Sequence, residues 1–566
     1  MNLSLTDDDL PLQRLYHWER LAADRVFLTQ PYGGGKVHDW SWAQAAGEIR
    51  RIAAHLGQRN WEPGTRVAIL SKNCAWWIMA DLAIWMAGHV TVPVYASLKP
   101  HTVRKILEHS ECAGCFFGPT DDPEASRSGI PAGVYRISFP NAPQPGEAAW
   151  EDLVRSTEPL SGNPARASDD LATIIYTSGT TGAPKGVMHR FGALASDALS
   201  LRETVKATEE DRFVSYLPLA HIVERSGLEI TSLLLGSRIF FVEAIATFLD
   251  DLKRARATVF LSVPRLLLKF QQSVFQKIPR EKLEKRLHLP VIGRVIRKKV
   301  LAALGLSTVR MAASGAAPLP ADVLLWYRSL GLELAEGYGM TETLITHLPR
   351  PAHVRPGYVG PALDGVETKI TEGGELLVKS PMNMIGYYKE PEATRTAFDE
   401  DGFFRTGDLV SMDPDGQTRI IGRVKEQFKT SKGKYVAPAP IESRLAEHPC
   451  VEACCLMGAG LPSPFALIVL TPEARAQLAD EASGRKGLEE SLEGQLVLVN
   501  AALETHEQVA FLAVVRGPWT IDNELITPTL KIRRTKLEQR YLGRIDSWRA
   551  EDRRIVWDDE APEGVS

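Results

Sequence analysis

Residues 176–186 read YTSGTTGAPKG, which sets three glycines, the hydroxyls of Thr177, Ser178, Thr180 and Thr181, and one lysine, Lys185, directly after a short apolar run at 171–176. The run predicts a strand, and the loop behind it suits phosphate. Glycine lets backbone amides approach an anion with no Cβ in the way, hydroxyls donate hydrogen bonds, and Lys185 adds positive charge. A flexible surface loop is the plain alternative. A Walker A loop is excluded, because its lysine must stand between Gly and Ser or Thr, whereas Lys185 stands between Pro184 and Gly186.

Outward from this loop the chain alternates strand and helix patterns. Residues 64–70 (GTRVAIL) and 90–95 (VTVPVY) read as strands around a helix at 75–87, residues 100–110 keep a helical period, and 239–242 and 258–262 are further short strands. That rhythm predicts an α/β fold with mixed sheets flanked by helices. From Gly373 onward short segments alternate with turn signals, as in Asp413-Pro414-Asp415-Gly416, which predicts a β-rich subdomain. After Gly422 comes a polar, lysine-rich stretch, RVKEQFKTSKGK, and then a small α+β pattern. The expected organisation is a large N-terminal domain over 1–424 and a small C-terminal domain over 425–566, with a hinge near Lys425.

At 566 residues, with 44% hydrophobic and 24% charged residues, the chain has the balance of a globular protein large enough for more than one core. The formal charge of −4 argues against broad nucleic-acid binding. Six cysteines are too few for a disulfide framework and fit a reducing cytoplasm; Cys112 and Cys115 form one CxxC, but Phe116 and Phe117 beside them suggest a buried strand rather than a zinc site. The start, MNLSLTDDDLPL, carries acids where an export signal carries bases, and the end, EGVS, shows no lipidation or peroxisomal address. The most apolar stretch, 75–95, is interrupted by Asp81, His89 and Pro93, so membrane contact should be peripheral. Residues 277–299 hold nine Lys or Arg and two Glu, with Ile292, Val295, Ile296 and Val300 at helical spacing. This segment could face anionic lipid, but a core-packed amphipathic helix with a solvated basic face is the expectation.

Further motifs follow in order: SGAAP at 314–318, EGYGMTE at 336–342, TGD at 406–408, Gly422-Arg423, and Lys531 in LITPTLKIRR. With the glycine-rich loop, this series resembles the adenylate-forming (AMP-binding) superfamily, and YLPLAHIVER at 216–225, KYVAP at 434–438 and LITPTLK resemble its long-chain fatty acyl-CoA synthetases. The resemblance implies ATP, Mg²⁺ and coenzyme A as cosubstrate: a carboxylic acid, in this branch a fatty acid, becomes an acyl-adenylate with release of pyrophosphate, and a thiol then displaces AMP. It further implies that Thr177, Ser178, Gly179, Thr180, Thr181, Gly182 and Lys185 cradle phosphates. Gly315, Ala316, Ala317, Glu336, Gly337, Tyr338 and Gly339 would surround the adenine, with Tyr338 stacking on it. Thr341 would contact the α-phosphate, and Glu342 and Thr180 would bind the metal, since Mg²⁺ prefers oxygen.

By the same resemblance Asp408 accepts from the ribose hydroxyls with Arg423 in support, Lys531 bridges carboxylate and α-phosphate, and His221 lies near the substrate carboxylate, the plainer alternative being a lone histidine satisfied in a core. Lys425 is the hinge about which a mobile small domain turns, Lys429 reaches the phosphates, and Gly433 lines the path of the thiol. Two positions depart from the family text: Lys432 stands where glycine or serine is common, which bears on the thiol step, and His189-Arg190 replaces the usual Thr-His pair. Three other readings stay open: a fatty acyl-AMP ligase that delivers to a carrier protein, a ring-closing hydroxy-acid synthetase, and a nucleotide- or acyl-binding protein without turnover. Acyl chain length is not legible, and the resemblance allows a homodimer.

Overall fold

A computed structural model describes residues 5–178, 184–480, 482–527 and 531–558. Its largest sheet has eight strands, ordered Gly386–Tyr387, Pro184–Arg190, Leu171–Ser178, Val90–Val94, Arg66–Leu70, Gly114–Phe117, Tyr135–Ser138 and Ala148–Ala149. The six from Leu171–Ser178 onward run parallel, because helices such as Ala75–Met86 and Pro100–His109 return the chain to the same sheet edge. Leu171–Ser178 and Pro184–Arg190 pair antiparallel, with Thr177 opposite Lys185. The phosphate-type loop therefore connects two hydrogen-bonded strands, and its residues Gly179, Thr180, Thr181 and Gly182 lie outside the described residues.

Four smaller sheets complete the described region before residue 424, the smallest a hairpin of Tyr338–Met340 and Leu344–His347. One pairs Arg212–Ser215, Arg238–Phe241, Val26–Pro31 and Val37–Ser41; a parallel one pairs Val259–Ser262, Met311–Ser314 and Leu334–Glu336. The β-rich texture after Gly373 becomes an antiparallel sheet of Glu367–Ile370, Glu375–Lys379, Phe404–Met412 and Thr418–Arg423. Beyond it, Val451–Met457, Phe465–Leu470, Leu512–Val514 and Ile555–Trp557 form a sheet flanked by helices including Pro438–Leu445 and Ala482–Asn500. Among the described residues, no buried apolar cluster mixes side chains from the two sides of residues 424–428. The fold is α/β, as the alternating pattern predicts, and no described helix is long and apolar enough to cross a membrane.

The helix Ala75–Met86 (AWWIMADLAIWM) is apolar around its whole circumference, and every one of its residues is buried, Asp81 included. A buried carboxylate needs a partner. It finds one in Arg225, whose guanidinium lies 2.6 and 2.5 Å from the two Asp81 oxygens and donates to Thr173 Oγ1 at 2.6 Å. The same guanidinium sits over the Trp85 and Trp77 rings at 5.3 and 5.6 Å. Glu229 lies 3.8 Å from Arg225, and its pKa is driven well up by burial and by the neighbouring Asp81. One guanidinium cannot neutralise two carboxylates, and Glu229, with the longer contact to Arg225, is the one pushed toward its neutral form.

Two expectations about local structure resolve differently. Cys112 and Cys115 are buried beside the strand Gly114–Phe117, and burial pushes the Cys112 thiol up to about 12. The 277–299 segment packs on the core through Leu283, Leu287 and the adjoining Val300 with Ile296 half-buried, as expected, but Ile292 and Val295 do not join them and it is not one helix. It folds as two helices, Arg280–Leu287 and Pro290–Ala303, of which the second buries only Gly293 and Val300, while Ile292 and Val295 face solvent. The reason is steric: a Cβ on Gly293 would lie 2.3 Å from the Leu287 carbonyl, so the tight approach of the two helices selects the Gly293 face for packing and turns the opposite apolar side chains outward.

The Arg225–Asp81 pair yields a stability prediction. Arg225→Leu strands a buried carboxylate, and thermal unfolding should report a loss of about 3–5 kcal/mol, most of it recovered in the double variant Asp81→Leu/Arg225→Leu.

Candidate active site

The TGD triplet sits in the strand Phe404–Met412. The Thr406 hydroxyl donates to the Leu376 carbonyl at 2.6 Å, Gly407 takes φ +70°, and its amide donates to Glu375 Oε1 at 3.0 Å. This kink aims Asp408 at Arg423, its register partner on the neighbouring strand, and Arg423 Nε reaches Asp408 Oδ1 at 2.8 Å. The Tyr338 hydroxyl donates to Asp408 Oδ2 at 2.6 Å. Burial raises the Asp408 pKa, with Arg423 as the main opposing influence, and burial together with Asp408 holds the Tyr338 phenol far above its usual value. The result is a buried carboxylate oriented from both sides, suited to accept from a diol.

Tyr338 arrives from a hairpin in which Tyr338–Met340 pairs with Leu344–His347. A Cβ on Gly339 would lie 2.1 Å from the Leu344 carbonyl, so only glycine permits the approach. The Gly337 amide donates to the Ser314 carbonyl at 2.8 Å, and the Leu319 amide donates to Glu336 Oε1 at 3.0 Å. These bonds join the SGAAP loop, where Ala316 adopts φ +68°, to the EGYG segment. Gly315, Ala316 and Ala317 are thereby brought beside Gly337, whereas Glu336 is buried behind them with its carboxyl pushed up to about 7.

Further along the hairpin, Glu342 Oε1 accepts from the Tyr387 hydroxyl at 3.0 Å. Lys185 lies 4.8 Å over the Tyr387 ring and 3.8 Å from Glu390. Tyr387 thus connects the lysine of the phosphate-type loop to the glutamate of EGYGMTE. His189 Nε2 donates to the Thr341 carbonyl at 2.6 Å, so the His189 that departs from the family text braces the backbone of Thr341.

His221 caps the short helix Ile222–Glu224, its Nδ1 accepting from the Val223 amide at 3.2 Å. The loop before it is held by Asn73, which donates to Ser215 Oγ at 2.8 Å and to the Leu217 carbonyl at 2.6 Å and accepts from the Leu219 amide at 3.0 Å. Glu224, pushed up to about 8 by burial, accepts from Ser215 Oγ and the Tyr216 amide at 2.9 and 3.0 Å. Lys531 stands within electrostatic range of His221. Although it keeps contact with solvent, desolvation and the Arg423 charge push its ammonium down, while Asp408, Glu342 and Glu426 pull it up. Lys531 in turn helps depress His221, whose pKa falls to about 4, mainly through burial. Side chains nearly 200 residues apart, Glu342 and Lys531, therefore share one electrostatic environment.

Other sequence-selected residues are not gathered here. Lys425 is exposed just past the Val424 amide, which donates to the Gly407 carbonyl at 2.8 Å. Lys429 and Gly433 belong to an exposed hairpin, where Lys429 lies 5.6 Å over the Tyr435 ring and Gly433 takes φ +78°. For Ser178 only the backbone is described. Sequence reasoning passes over Tyr387, Glu390, Asn73 and Glu224. A readable sign of the first two was the Gly386-Tyr387-Tyr388-Lys389-Glu390 cluster of aromatic and charged residues; Asn73 and Glu224 gave none, because their work is to hold loop backbone.

The buried histidines set an acid limit. Burial lowers His189 to about 4, and His347, whose ring meets that of Tyr338 at 5.7 Å, likewise to about 4. The folded chain refuses protons that the unfolded chain accepts below about pH 6.5, so their contribution is complete above that value and is lost as pH falls toward 4. Unfolding free energies from urea titrations should decline across this window by on the order of 2–4 kcal/mol per histidine, and His189→Asn should flatten the slope.

The sequence matches the AMP-binding enzyme family over residues 16–388 and the AMP-binding enzyme C-terminal domain over residues 425–552. It is 32% identical to long-chain-fatty-acid–CoA ligase FadD15 of Mycobacterium bovis, over 94% of this chain and 96% of that protein. It is 30% identical to human long-chain-fatty-acid–CoA ligase 1, over 91% of this chain and 82% of that protein. Among solved structures, the adenylation domain of a carboxylate reductase from Mycobacterium chelonae superposes with a TM-score of 0.81 at 23% identity, covering 97% of this chain and 92% of that one. With both parts matched in order around the Asp408, Glu342 and Lys531 cleft, the chain belongs to the AMP-binding enzyme family.

Proposed function

We propose that the chain is an ATP-dependent acyl-CoA ligase acting on long-chain fatty acids. The observation that carries the reading is the Asp408 carboxylate held between the Arg423 guanidinium at 2.8 Å and the Tyr338 hydroxyl at 2.6 Å, with the Lys531 ammonium within electrostatic range of it. Asp408, buttressed by Tyr338 and Arg423, accepts from the ribose hydroxyls, and the SGAAP loop is joined to the EGYG segment beside it by the Gly337 amide bond to the Ser314 carbonyl. Relatives that are long-chain ligases, alike over more than 80% of both chains, support the acyl class.

In the first half-reaction a carboxylate oxygen attacks the α-phosphorus, the bond to the β-phosphate oxygen breaks, and pyrophosphate leaves. Negative charge gathers on the α-phosphate oxygens, and Lys531 is held where an ammonium offsets it. In the second, a thiol attacks the acyl carbonyl, AMP leaves with the electron pair of the broken bond, and the thiol proton passes to solvent. Two regions, 1–424 and 425–566, would turn about Lys425 between these steps, so that Lys429 and Gly433 change surroundings.

Magnesium fits the donor set. Tyr387 occupies Glu342 Oε1, while Oε2 has no hydrogen bond among the described residues, and no described group of three acidic, His or Cys side chains could cage a cation. Mg²⁺ takes one or two carboxylates and completes its shell with phosphate oxygens and water, so Glu342 with the Thr180 hydroxyl would hold it. Bound there it would neutralise triphosphate charge.

Two measurements test the reading. Pyrophosphate and AMP release, followed across straight-chain and aryl acids with and without coenzyme A, should require both a long-chain acid and coenzyme A. Pyrophosphate without coenzyme A turnover would instead favour a carrier or ring-closing acceptor, and no release with any acid would favour a binding protein. Separately, Lys531→Ala should slow adenylation by roughly 10²–10³ while sparing thiol transfer from preformed acyl-AMP; equal loss in both halves would remove Lys531 from its role.

A further inference from the structure

The helix Pro290–Ala303 turns an apolar face away from the protein. Val291 is 77% exposed, Ile292 52%, Val295 50%, and Leu289, just before the helix, 46%. Helical spacing sets Val291, Ile292 and Val295 on one side, opposite Gly293 and Val300, which are buried. Four large aliphatic side chains contiguous in water call for an occupant.

The charge around them selects its chemistry. Residues 277–299 carry seven net positive charges in a chain whose total is −4. Arg280 is spent on Glu284 and Asp322, and Arg297 on the Ser329 and Leu287 carbonyls. Lys282, Lys285, Arg286, Arg294, Lys298 and Lys299 make no ion pair among the described residues, and all are exposed. Arg294 and Lys298 flank the aliphatic face on its own helix, and Lys285 and Arg286 stand on the preceding one. An apolar tip inside a basic rim matches an interface with anionic headgroups outside and acyl chains within. Nucleic acid would match the charge and leave the aliphatic side chains in water.

We propose that the tip formed by Leu289, Val291, Ile292 and Val295, with its basic rim, docks the protein on an anionic lipid bilayer. The proposal is independent of the acid that the active site takes. It assigns membrane contact to a short helix lying in the headgroup layer, and no described helix is long and apolar enough to cross the bilayer.

Co-sedimentation of the full chain with vesicles of phosphatidylglycerol and phosphatidylcholine, against phosphatidylcholine alone, tests it. Binding should require the anionic lipid and weaken with salt. Ile292→Ser/Val291→Ser and, separately, Arg294→Glu/Lys298→Glu should each lower the partition coefficient by about tenfold or more, with unchanged thermal unfolding, because all four side chains are exposed. Failure of the unaltered chain to bind anionic vesicles, equal binding to neutral ones, or unaltered binding by both variants would overturn the proposal. So would a dimer in light scattering without lipid that Ile292→Ser/Val291→Ser abolishes, since the face would then belong to a second copy.

Discussion

Arg225 is the joint on which the site region hangs. Its guanidinium binds Asp81 on the fully buried helix Ala75–Met86, Thr173 on the central strand Leu171–Ser178, and the faces of two tryptophans, while its own backbone follows His221 in the chain by four residues. Moving it would disturb the sheet that carries the phosphate-type loop and the loop that carries His221 together. A buried ion pair of this kind adds little net stability over an apolar substitute of equal shape, but it is intolerant of losing one partner. Its value here is register. The adjoining residues Arg225–Ile230 form a π-helical turn, and the next side chain, Ser226, bonds Asp197, which also accepts from the Ile345 amide behind EGYGMTE.

The cleft itself is assembled by opposite means. Its polar and charged groups come from three places: Asp408 and Arg423 from adjacent strands, Tyr338 and Glu342 from one hairpin, and Lys531 from the C-terminal part of the chain. Among the described residues none of them forms a hydrogen bond or ion pair with the Lys531 side chain; they act on it only through the field they share. Cross-contacts such as Lys99 with the Asp522 carbonyl at 3.0 Å and Arg265 with Glu452 at 2.8 Å are polar and exposed, which favours an interface that can reopen. Among the described residues no buried apolar cluster crosses residues 424–428.

Much of this was legible beforehand for a simple reason. Residues that contact a common ligand group must have fixed chemistry, so Asp408, Tyr338, Glu342, Lys185 and Lys531 stand out as motif letters. The strands at 66–70, 90–94 and 171–176 were legible from apolar runs, and the turn glycines from their neighbours. Supporting residues were not. Asn73, Glu224 and Tyr387 act on backbone or on another side chain, a task that many residue types at many positions could perform. The 277–299 segment misled at Ile292 and Val295 because periodicity reports that a helix has an apolar face without reporting which way that face points.

The sequence by itself determined the family, the α/β class and the types of group that meet the nucleotide, because local pattern and motif chemistry are properties of neighbouring residues. Tertiary structure alone decided that Asp81 is neutralised by Arg225, that Glu336 turns away from the cleft, that Tyr387 links Lys185 to Glu342, and that Ile292 and Val295 face solvent. Each of these depends on which side of an element meets its neighbour, a choice set by packing between segments far apart in the chain and therefore written in no single stretch of it.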